Sequence, residues 1–500
     1  MTTKSAWSRS YSGRFHGSRS YGSRSRRSRS HPGRSRWSTA GAVLLLAATT
    51  ALTGCGDDGG DSDGGALTVW SLENLTDRVQ ATQKIADEFT KSTGIPVKIV
   101  ATDENQFSSL ITSAAAAGTL PDVVGALPLA AVAQMASNQL LDTDATKAVV
   151  DQLGPGTFSA PALQLTSQDG VQWSVPSDGW AQLLFYRKDL FQQAGLAVPD
   201  TYAAIRAAAE KLNSPQVAGA ALATVGNDAF TQQTFENLAL GNNCQMVDDA
   251  KTVLLDSPQC VETFQLYSDL VKNWSVPGAQ DVDTTRATYF AGKASMVVWS
   301  SFLLDELAGL RNDALPTCAE CKGDPTWLAK NTGVVTAVSG PQGKPAQFGE
   351  ITSWTITADG ANEGNGSSTD RAKQFVTYMM NEGYTDWLGI APEGKIPVRK
   401  GTADDATKFT TAWNTLPAGV DTKKPLADLY PEDVLTALQK SPDTFQRWGF
   451  PQKQGALVGA TLGELPVPKA INSLTTGELD AQEAAQRAAE DVKTIQKSLE

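Results

Sequence analysis

Histidine is almost absent from this sequence of 500 residues. The two histidines, His16 and His31, both precede Cys55, where we expect the chain to be cut. The chain that remains contains no histidine, which excludes Ser-His-Asp and Cys-His catalysis and any histidine-ligated metal site. We therefore expect no catalytic residues, no bound metal and no cofactor.

Long apolar runs are missing as well. The apolar stretch at residues 40–52 is short and contains Thr49 and Thr50. A membrane-spanning helix needs about 20 apolar residues, and no later stretch reaches that length without charges. The stretch is typical of the apolar part of an export signal, and we expect no membrane-spanning helix in the rest of the chain.

Basic residues are scarce outside the start of the chain. Residues 1–36 contain nine Arg, one Lys and no acidic residue. Two interpretations are open, a nucleic-acid-binding arm or an overlong basic n-region, and we favour the second because a cleavage motif follows. Removal of this segment reduces the basic residues from 42 to 32 against 54 acidic ones, a net charge of −22. That charge argues against nucleic acid as a partner.

The motif Leu52-Thr53-Gly54-Cys55 ends the apolar stretch, and residues 56–65 form an acidic, glycine-rich linker. This order of features resembles the lipobox of bacterial lipoproteins. The resemblance implies that residues 1–54 are a signal peptide and that residues 55–66 are a lipidated Cys55 and a flexible linker. It also implies a lipid anchor on the extracytoplasmic face of the cell membrane. Export by the general or the twin-arginine route stays open, because Arg26-Arg27 is present.

Strands and helices alternate after the linker. Residues 67–70 read as a strand, a helix opens at Thr76 and ends at Gly94, and residues 95–99 alternate as a second strand. A helix at residues 107–117 and a short strand at residues 123–124 follow. This order predicts a parallel, doubly wound α/β sheet, in which ligands bind beyond the carboxyl ends of the strands.

A family resemblance rests on residues 171–212. A strand ending in Val175-Pro176 is followed by residues 186–191 (YRKDLF), residues 194–196 (AGL) and a helix start at residues 199–201 (PDT). This succession is similar to extracellular solute-binding proteins of ABC importers, of the maltose-binding-protein type. Further stretches of the same kind, which extend the resemblance over residues 66–500, are residues 118–122, 290–296, 392–399 and 476–478.

The resemblance implies a two-lobed, type II periplasmic-binding-protein-like fold. Each lobe is expected to be a doubly wound sheet flanked by helices, and a hinge joins the two. The expected first lobe comprises residues 67–180 and about 350–390, and the second comprises residues 181–349 and about 391–500. The expected partners are a small-molecule ligand and the transmembrane subunits of an ABC permease, with the protein itself a monomer.

Candidate ligand contacts follow from position and from resemblance. The loops after the first two strands supply Glu73, Asn74, Asp103 and Asn105. Tryptophan rings stack on the flat faces of sugars, and carboxylates bind sugar hydroxyl groups, although burial in the core is the alternative for every tryptophan. The candidates in the expected inter-lobe and return segments are Asp178, Trp180, Trp299, Ser300, Trp354 and Arg399.

Four cysteines remain after Cys55. An exported chain meets oxidising conditions, and closeness in sequence favours the disulfides Cys244–Cys260 and Cys318–Cys321. A redox-active Cys-x-x-Cys or half of a zinc site at residues 318–321 is the open alternative.

These features together predict a lipid-anchored solute receptor of an ABC importer, with a mono- or oligosaccharide as its ligand. The same fold with a non-sugar solute is one alternative. A secreted glycoside hydrolase is another, because that activity needs only two suitably spaced carboxylates; the sequence singles out no such pair.

Overall fold

The computed structural model describes residues 65–358 and 366–499, with only the backbone described for Asn105, Gly366 and Ser367. The chain divides into two units, Met1–Asp63 and Gly64–Glu500. The predicted signal peptide, the Cys55 lipidation site and most of the linker therefore lie outside the described residues. All of the described residues belong to the second unit.

The first elements confirm the predicted alternation. They are β1 (Leu67–Ser71), α1 (Thr76–Thr93), β2 (Val97–Ala101), α2 (Phe107–Ala117), β3 (Val123–Pro128) and α3 (Leu129–Ser137). β1 pairs in parallel with β2 on one side and β3 on the other. α1 buries Ile85 and Phe89 and ends at Gly94, whose φ of 76° is the left-handed conformation that glycine adopts without strain.

The middle of the chain contains two long strands. The elements here are α4 (Thr143–Leu153), α5 (Ala160–Leu165), β4 (Ser167–Gln168), β5 (Val171–Gln172), β6 (Val175–Arg187), α6 (Lys188–Ala194), α7 (Tyr202–Leu212), α8 (Ala229–Gly241), α9 (Pro258–Asn273), α10 (Val282–Phe290), β7 (Met296–Ser300), α11 (Leu303–Leu307), α12 (Trp327–Asn331), β8 (Thr332–Val335) and β9 (Gln347–Ile356). β6 and β9 are antiparallel neighbours, with Trp180 opposite Glu350.

The chain ends in helices and short strands. They are α13 (Gly366–Met379), α14 (Tyr384–Leu388), β10 (Ile396–Pro397), α15 (Lys408–Trp413), β11 (Pro417–Ala418), β12 (Lys424–Pro425), α16 (Glu432–Lys440), β13 (Phe445–Gln446), α17 (Gly455–Glu464), α18 (Pro466–Thr476) and α19 (Ala481–Ser498). Asp480 and Glu483 form a capping box at the start of α19.

One continuous sheet joins two α/β halves. Its order is β10-β6-β9-β3-β1-β2, with β7 and β8 paired to β6 and β13 to β9. One end of β9 pairs antiparallel with β3, while the far end of β6 pairs antiparallel with β7 and β8. β6 and β9 therefore cross from the first half to the second.

Each half has its own hydrophobic core. In the first, Phe375 of α13 packs with Phe89 of α1 and with Trp354 of β9. In the second, Phe235 of α8 packs with Phe264 and Trp448. α15 contributes to both sides, because Phe409 contacts Tyr384 of the first core whereas Trp413 joins a core in the second half.

The four cysteines are buried and form the bonds Cys244–Cys260 and Cys318–Cys321, as closeness in sequence predicted. Bonded in this way, residues 318–321 offer no thiolate to a metal. Across the described part of the chain, none of the helices combines the length and apolarity that crossing a bilayer requires.

Candidate functional site

The two halves meet where the parallel strands end and β6 and β9 cross. Glu73 follows β1, Glu104 follows β2, and α3 begins directly after β3. Side chains from both halves and from the segment before β10 gather at this point. We call the following residues the central cluster: Glu73, Arg78, Glu104, Trp180, Phe302, Phe348, Glu350, Lys395 and Arg447.

The first ion-pair network centres on Glu73. Its carboxylate lies 2.8 Å from Arg78 Nη1 and 2.5 Å from Lys395 Nζ. Lys395 Nζ also lies 3.3 Å from Asp178 Oδ1. Burial by itself raises the pKa of Glu73, but the charges and hydrogen bonds of Lys395 and Arg78 outweigh it and lower that pKa to about 2. The network thus fixes the segment before β10 to the end of β1.

The second network centres on Arg447, which is 2% exposed. Its guanidinium pairs with the carboxylates of Glu350 on β9 and Glu236 on α8, the latter at 3.3 Å. Glu350 Oε1 also accepts a hydrogen bond of 2.9 Å from the backbone N–H of Leu129, the first residue of α3. One carboxylate therefore connects both halves of the molecule.

An aromatic surface lies between the two networks. The half-buried ring of Trp180 has its centroid 5.6 Å from that of Phe348 and 6.3 Å from that of Phe302. Phe302 in turn contacts Gly394, where a Cβ would lie 1.8 Å from Phe302 Cε1. Only glycine leaves room for this ring, so the segment before β10 also positions part of the aromatic surface.

Glu104 is the accessible carboxylate of the cluster. Its side chain is exposed but lies among many protein atoms, and this partial desolvation raises its pKa. The negative charges of Glu350, Glu73 and Asp103 raise it further. These carboxylates are therefore close enough to act on the charge of Glu104.

Several predicted contacts lie at this place. Glu73 and Trp180 belong to the central cluster. Asn74 is exposed next to Glu73, and Asp103 is exposed next to Glu104. Asn105 lies in the short 3-10 turn Glu104–Gln106, and nothing is described of its side chain. Ser300 ends β7 opposite Gln182 and is half-buried.

Asp178 requires a correction, because its carboxylate is satisfied within the protein. It is buried and accepts hydrogen bonds from Thr352 Oγ1 at 2.9 Å and from Trp387 Nε1 at 2.7 Å. It also accepts from Ser177 and from Lys395. These contacts assign it to the support of the cluster and leave no oxygen to face a ligand.

Two further candidates, both tryptophans, are placed in the core. Trp299 is buried and donates from Nε1 to the Val282 carbonyl at 3.0 Å. Trp354 is fully buried against Trp387 and Phe375. For these two tryptophans the structure supports the packing alternative.

Arg399 is also buried, and its guanidinium is occupied by groups of the first half. It donates to the carbonyl of Leu153 at 3.1 Å, to Thr157 Oγ1 at 3.2 Å and to the Met380 carbonyl. The expectation that it reaches a ligand needs revision, because a guanidinium bound to several protein acceptors has no donor directed into the cluster.

Phe302, Glu350, Lys395 and Arg447 were not among the predicted residues. Glu350 carried a usable signal, since a carboxylate inside the apolar strand at residues 347–356 requires a buried cation. The cation itself could not be identified from the sequence, because Arg447 is 97 residues away.

Two α/β halves that share crossing strands, with polar and aromatic side chains where they meet, define the two-lobed class of ligand-binding proteins. Residues 73–386, more than half of the chain, match the family model of bacterial extracellular solute-binding proteins. The chain belongs to this family.

Individual relatives agree with this assignment. The chain is 29% identical over 337 residues to YcjN of Escherichia coli (strain K12), provisionally named an ABC transporter periplasmic-binding protein. The match covers 66% of this chain and 72% of YcjN. It is 27% identical over 150 residues to the sn-glycerol-3-phosphate-binding periplasmic protein UgpB of Rhizobium meliloti (strain 1021), covering 28% of this chain and 34% of that one.

Solved structures confirm the fold. The cyclic alpha-maltosyl-1,6-maltose binding protein from Arthrobacter globiformis superposes with a TM-score of 0.64 at 18% identity, covering 87% of this chain and 99% of that one. The predicted two-lobed, type II periplasmic-binding-protein fold is therefore confirmed. The protein is a bacterial extracellular solute-binding protein.

Proposed function

We propose that the solute is a carbohydrate, bound at the central cluster and delivered to an ABC permease without chemical conversion. The observation that carries this proposal is the half-buried ring of Trp180 opposite Glu350, whose charge acts on the exposed carboxylate of Glu104. Sugars present flat C–H faces that stack on such a ring and hydroxyl groups that donate to such a carboxylate. The sugar-binding protein of Arthrobacter globiformis, which shares the fold, is consistent with this class of ligand.

The same site explains how binding is signalled. Glu104 belongs to the first half, whereas Phe302 and Phe348 belong to the second. A sugar that contacts both sides stabilises the arrangement in which the halves are close, because that arrangement gains interactions that an open one lacks. The permease then recognises the closed form.

A panel of thermal-shift measurements tests the carbohydrate proposal. The mature chain is heated with maltose, trehalose, xylobiose, cyclodextrins, ribitol and sn-glycerol 3-phosphate. A ligand at 100 times its Kd stabilises the native state by about 2.7 kcal/mol, so one class of saccharide should raise Tm clearly. If every saccharide leaves Tm unchanged while a non-sugar solute raises it, the carbohydrate proposal is wrong.

A tryptophan variant locates the site. Trp180→Ala should abolish the sugar-dependent shift, because it removes the stacking surface. Trp274→Ala is the matched control, since Trp274 is also half-buried but lies outside the central cluster. Equal loss of the shift in both variants would indicate a general effect on folding. Release of smaller sugars during incubation would contradict binding without catalysis.

We also propose that Cys55 carries a lipid that holds a monomeric receptor on the extracytoplasmic face of the membrane. The motif at residues 52–55 supports this, and a surface anchor keeps the receptor close to its permease. In a bacterial host, Cys55→Ser should move the protein from the membrane fraction to the soluble extracytoplasmic fraction. Retention of the variant in the membrane fraction would contradict the proposal.

A further inference from the structure

The basic and acidic side chains of the central cluster differ in how accessible they are to a solute. Its three basic side chains are each paired with carboxylates of the protein: Arg78 with Glu73, Lys395 with Glu73 and Asp178, and Arg447 with Glu350 and Glu236. Lys395 and Arg447 are each 2% exposed. A solute in the cluster therefore cannot reach their charged groups without breaking these buried pairs, which is strongly unfavourable.

The nearby helix terminus is occupied as well. The N-terminus of a helix attracts anions through its free N–H groups and its dipole. Here α3 begins at the cluster, and the N–H of Leu129 already donates to Glu350 Oε1 at 2.9 Å. An internal carboxylate thus takes the place that the phosphate of a solute would use.

The exposed charged residue of the central cluster is negative. Glu104 is exposed, and no cationic partner for it is seen in residues 65–358 and 366–499. Glu350, Glu73 and Asp103 are close enough to act on its charge. Like charges repel most strongly where protein displaces water, so this region repels anions and attracts cations and hydroxyl donors.

We propose that the site selects uncharged or amine-bearing saccharides and excludes phosphorylated and acidic ones, with Glu104 as the residue that determines this specificity. The proposal rests on the carbohydrate function proposed above. It separates this protein from its relative named for binding sn-glycerol 3-phosphate. A phosphate ester should bind at least about tenfold more weakly than the matching neutral sugar.

The sign of the electrostatic potential around Trp180 can be measured without a sugar. Collisional quenching of tryptophan fluorescence by caesium and by iodide is recorded for the wild type and for Trp180→Phe, and the difference isolates the emission of Trp180. Each quenching constant is divided by that of the same ion with free tryptophan, because iodide is intrinsically the stronger quencher. On this scale caesium should quench the emission of Trp180 about twofold more effectively than iodide, because the local potential concentrates cations. Acrylamide, which is neutral, reports the accessibility of the ring.

Two variants make the measurement specific. Glu104→Gln should lower the ratio of caesium to iodide quenching, while Glu210→Gln, an exposed change on α7 outside the central cluster, should leave it unchanged. Circular dichroism verifies that both variants are folded. Normalised iodide quenching as effective as normalised caesium quenching in the wild type, or an unchanged normalised ratio in Glu104→Gln, would overturn the proposal.

A second measurement compares D-glucosamine, D-glucose and D-glucose 6-phosphate at equal concentration by thermal shift. The phosphate ester should give the smallest change in Tm, and a change as large as that with glucose overturns the charge selectivity. If none of the saccharides in the wider panel raises Tm either, the proposed carbohydrate function is wrong. The quenching result still decides the charge of the site, so the two failures are distinguishable.

Discussion

Replacing Glu73 by Gln removes the central charge of the first network and keeps the size of the side chain. In the native protein the pKa of Glu73 falls from its ordinary value of 4.5 to about 2, because Lys395 and Arg78 outweigh the effect of burial. One pKa unit corresponds to about 1.4 kcal/mol, so this decrease contributes about 3 kcal/mol of stability at neutral pH. Loss of one partner of a buried ion pair costs about 3–5 kcal/mol in other proteins.

The pH dependence has a definite sign. Because the native pKa is lower than the unfolded one, the contribution is complete above pH 4.5 and disappears as the pH falls towards 2. The free energy of unfolding of Glu73→Gln should be about 3 kcal/mol below that of the wild type at pH 7. The difference should narrow progressively below pH 4.5.

Urea denaturation of a protein that starts after Cys55, at pH 7, 5, 4 and 3 and followed by tryptophan fluorescence, measures this difference. Glu88→Gln is the control, since Glu88 is exposed on the same helix, α1, and its replacement should change stability by less than about 0.5 kcal/mol. A Glu73→Gln variant as stable as the wild type at pH 7 would refute the reasoning. A deficit that stays constant down to pH 3 would refute it as well.

Three further changes test other parts of the molecule. Burial and the charges of Glu393 and Glu306 raise the pKa of Asp305 well above 3.8, so the stability that protonated Asp305 provides is lost as the pH rises. Asp305→Asn should therefore be more stable than the wild type at pH 8. Thermal melts from pH 5 to 8 should show a weaker pH dependence of Tm in the variant than in the wild type. Replacing Cys244 and Cys260 by Ser opens a loop with a sequence separation of 16 and should cost about 3 kcal/mol in urea denaturation, more than the same change at residues 318 and 321. Gly125→Ala places a Cβ 2.1 Å from the Trp354 ring and should cost about 1–3 kcal/mol; the control Gly463→Ala, with no atom within 4 Å, should cost nothing, and equal behaviour in thermal melts would contradict this account.

Local patterns determined much of the fold. The alternation of strands and helices over residues 67–128 predicted the parallel pairing of β1 with β2 and β3. Gly94 and Asp480 marked a helix end and a helix start, because these residues satisfy backbone groups within a few positions of themselves. The cysteine pairs were predictable for a similar reason, since a short separation makes loop closure easy.

The composition of the ligand site was decided by tertiary structure. Trp180 and Trp354 both lie on long strands that cross between the halves, yet only Trp180 is accessible. The packing of α13 and α14 covers Trp354, whereas Trp180 meets Phe302 and Phe348 and stays half-buried. Alternation along a strand assigns residues to two faces and does not say which face a helix will cover.

For the charged residues too, the sequence determined some properties and the tertiary structure determined others. The sequence by itself determined that residues 55–500 are acidic and free of histidine, and so excluded histidine-based catalysis and metal ligation in them. Only the tertiary structure decided which charges neutralise each other. Lys395 pairs with Glu73, and Arg447 pairs with Glu350, although the two residues of each pair are far apart in the sequence. Ion pairs form between atoms a few ångströms apart in space, and that proximity arises when the two halves fold against each other.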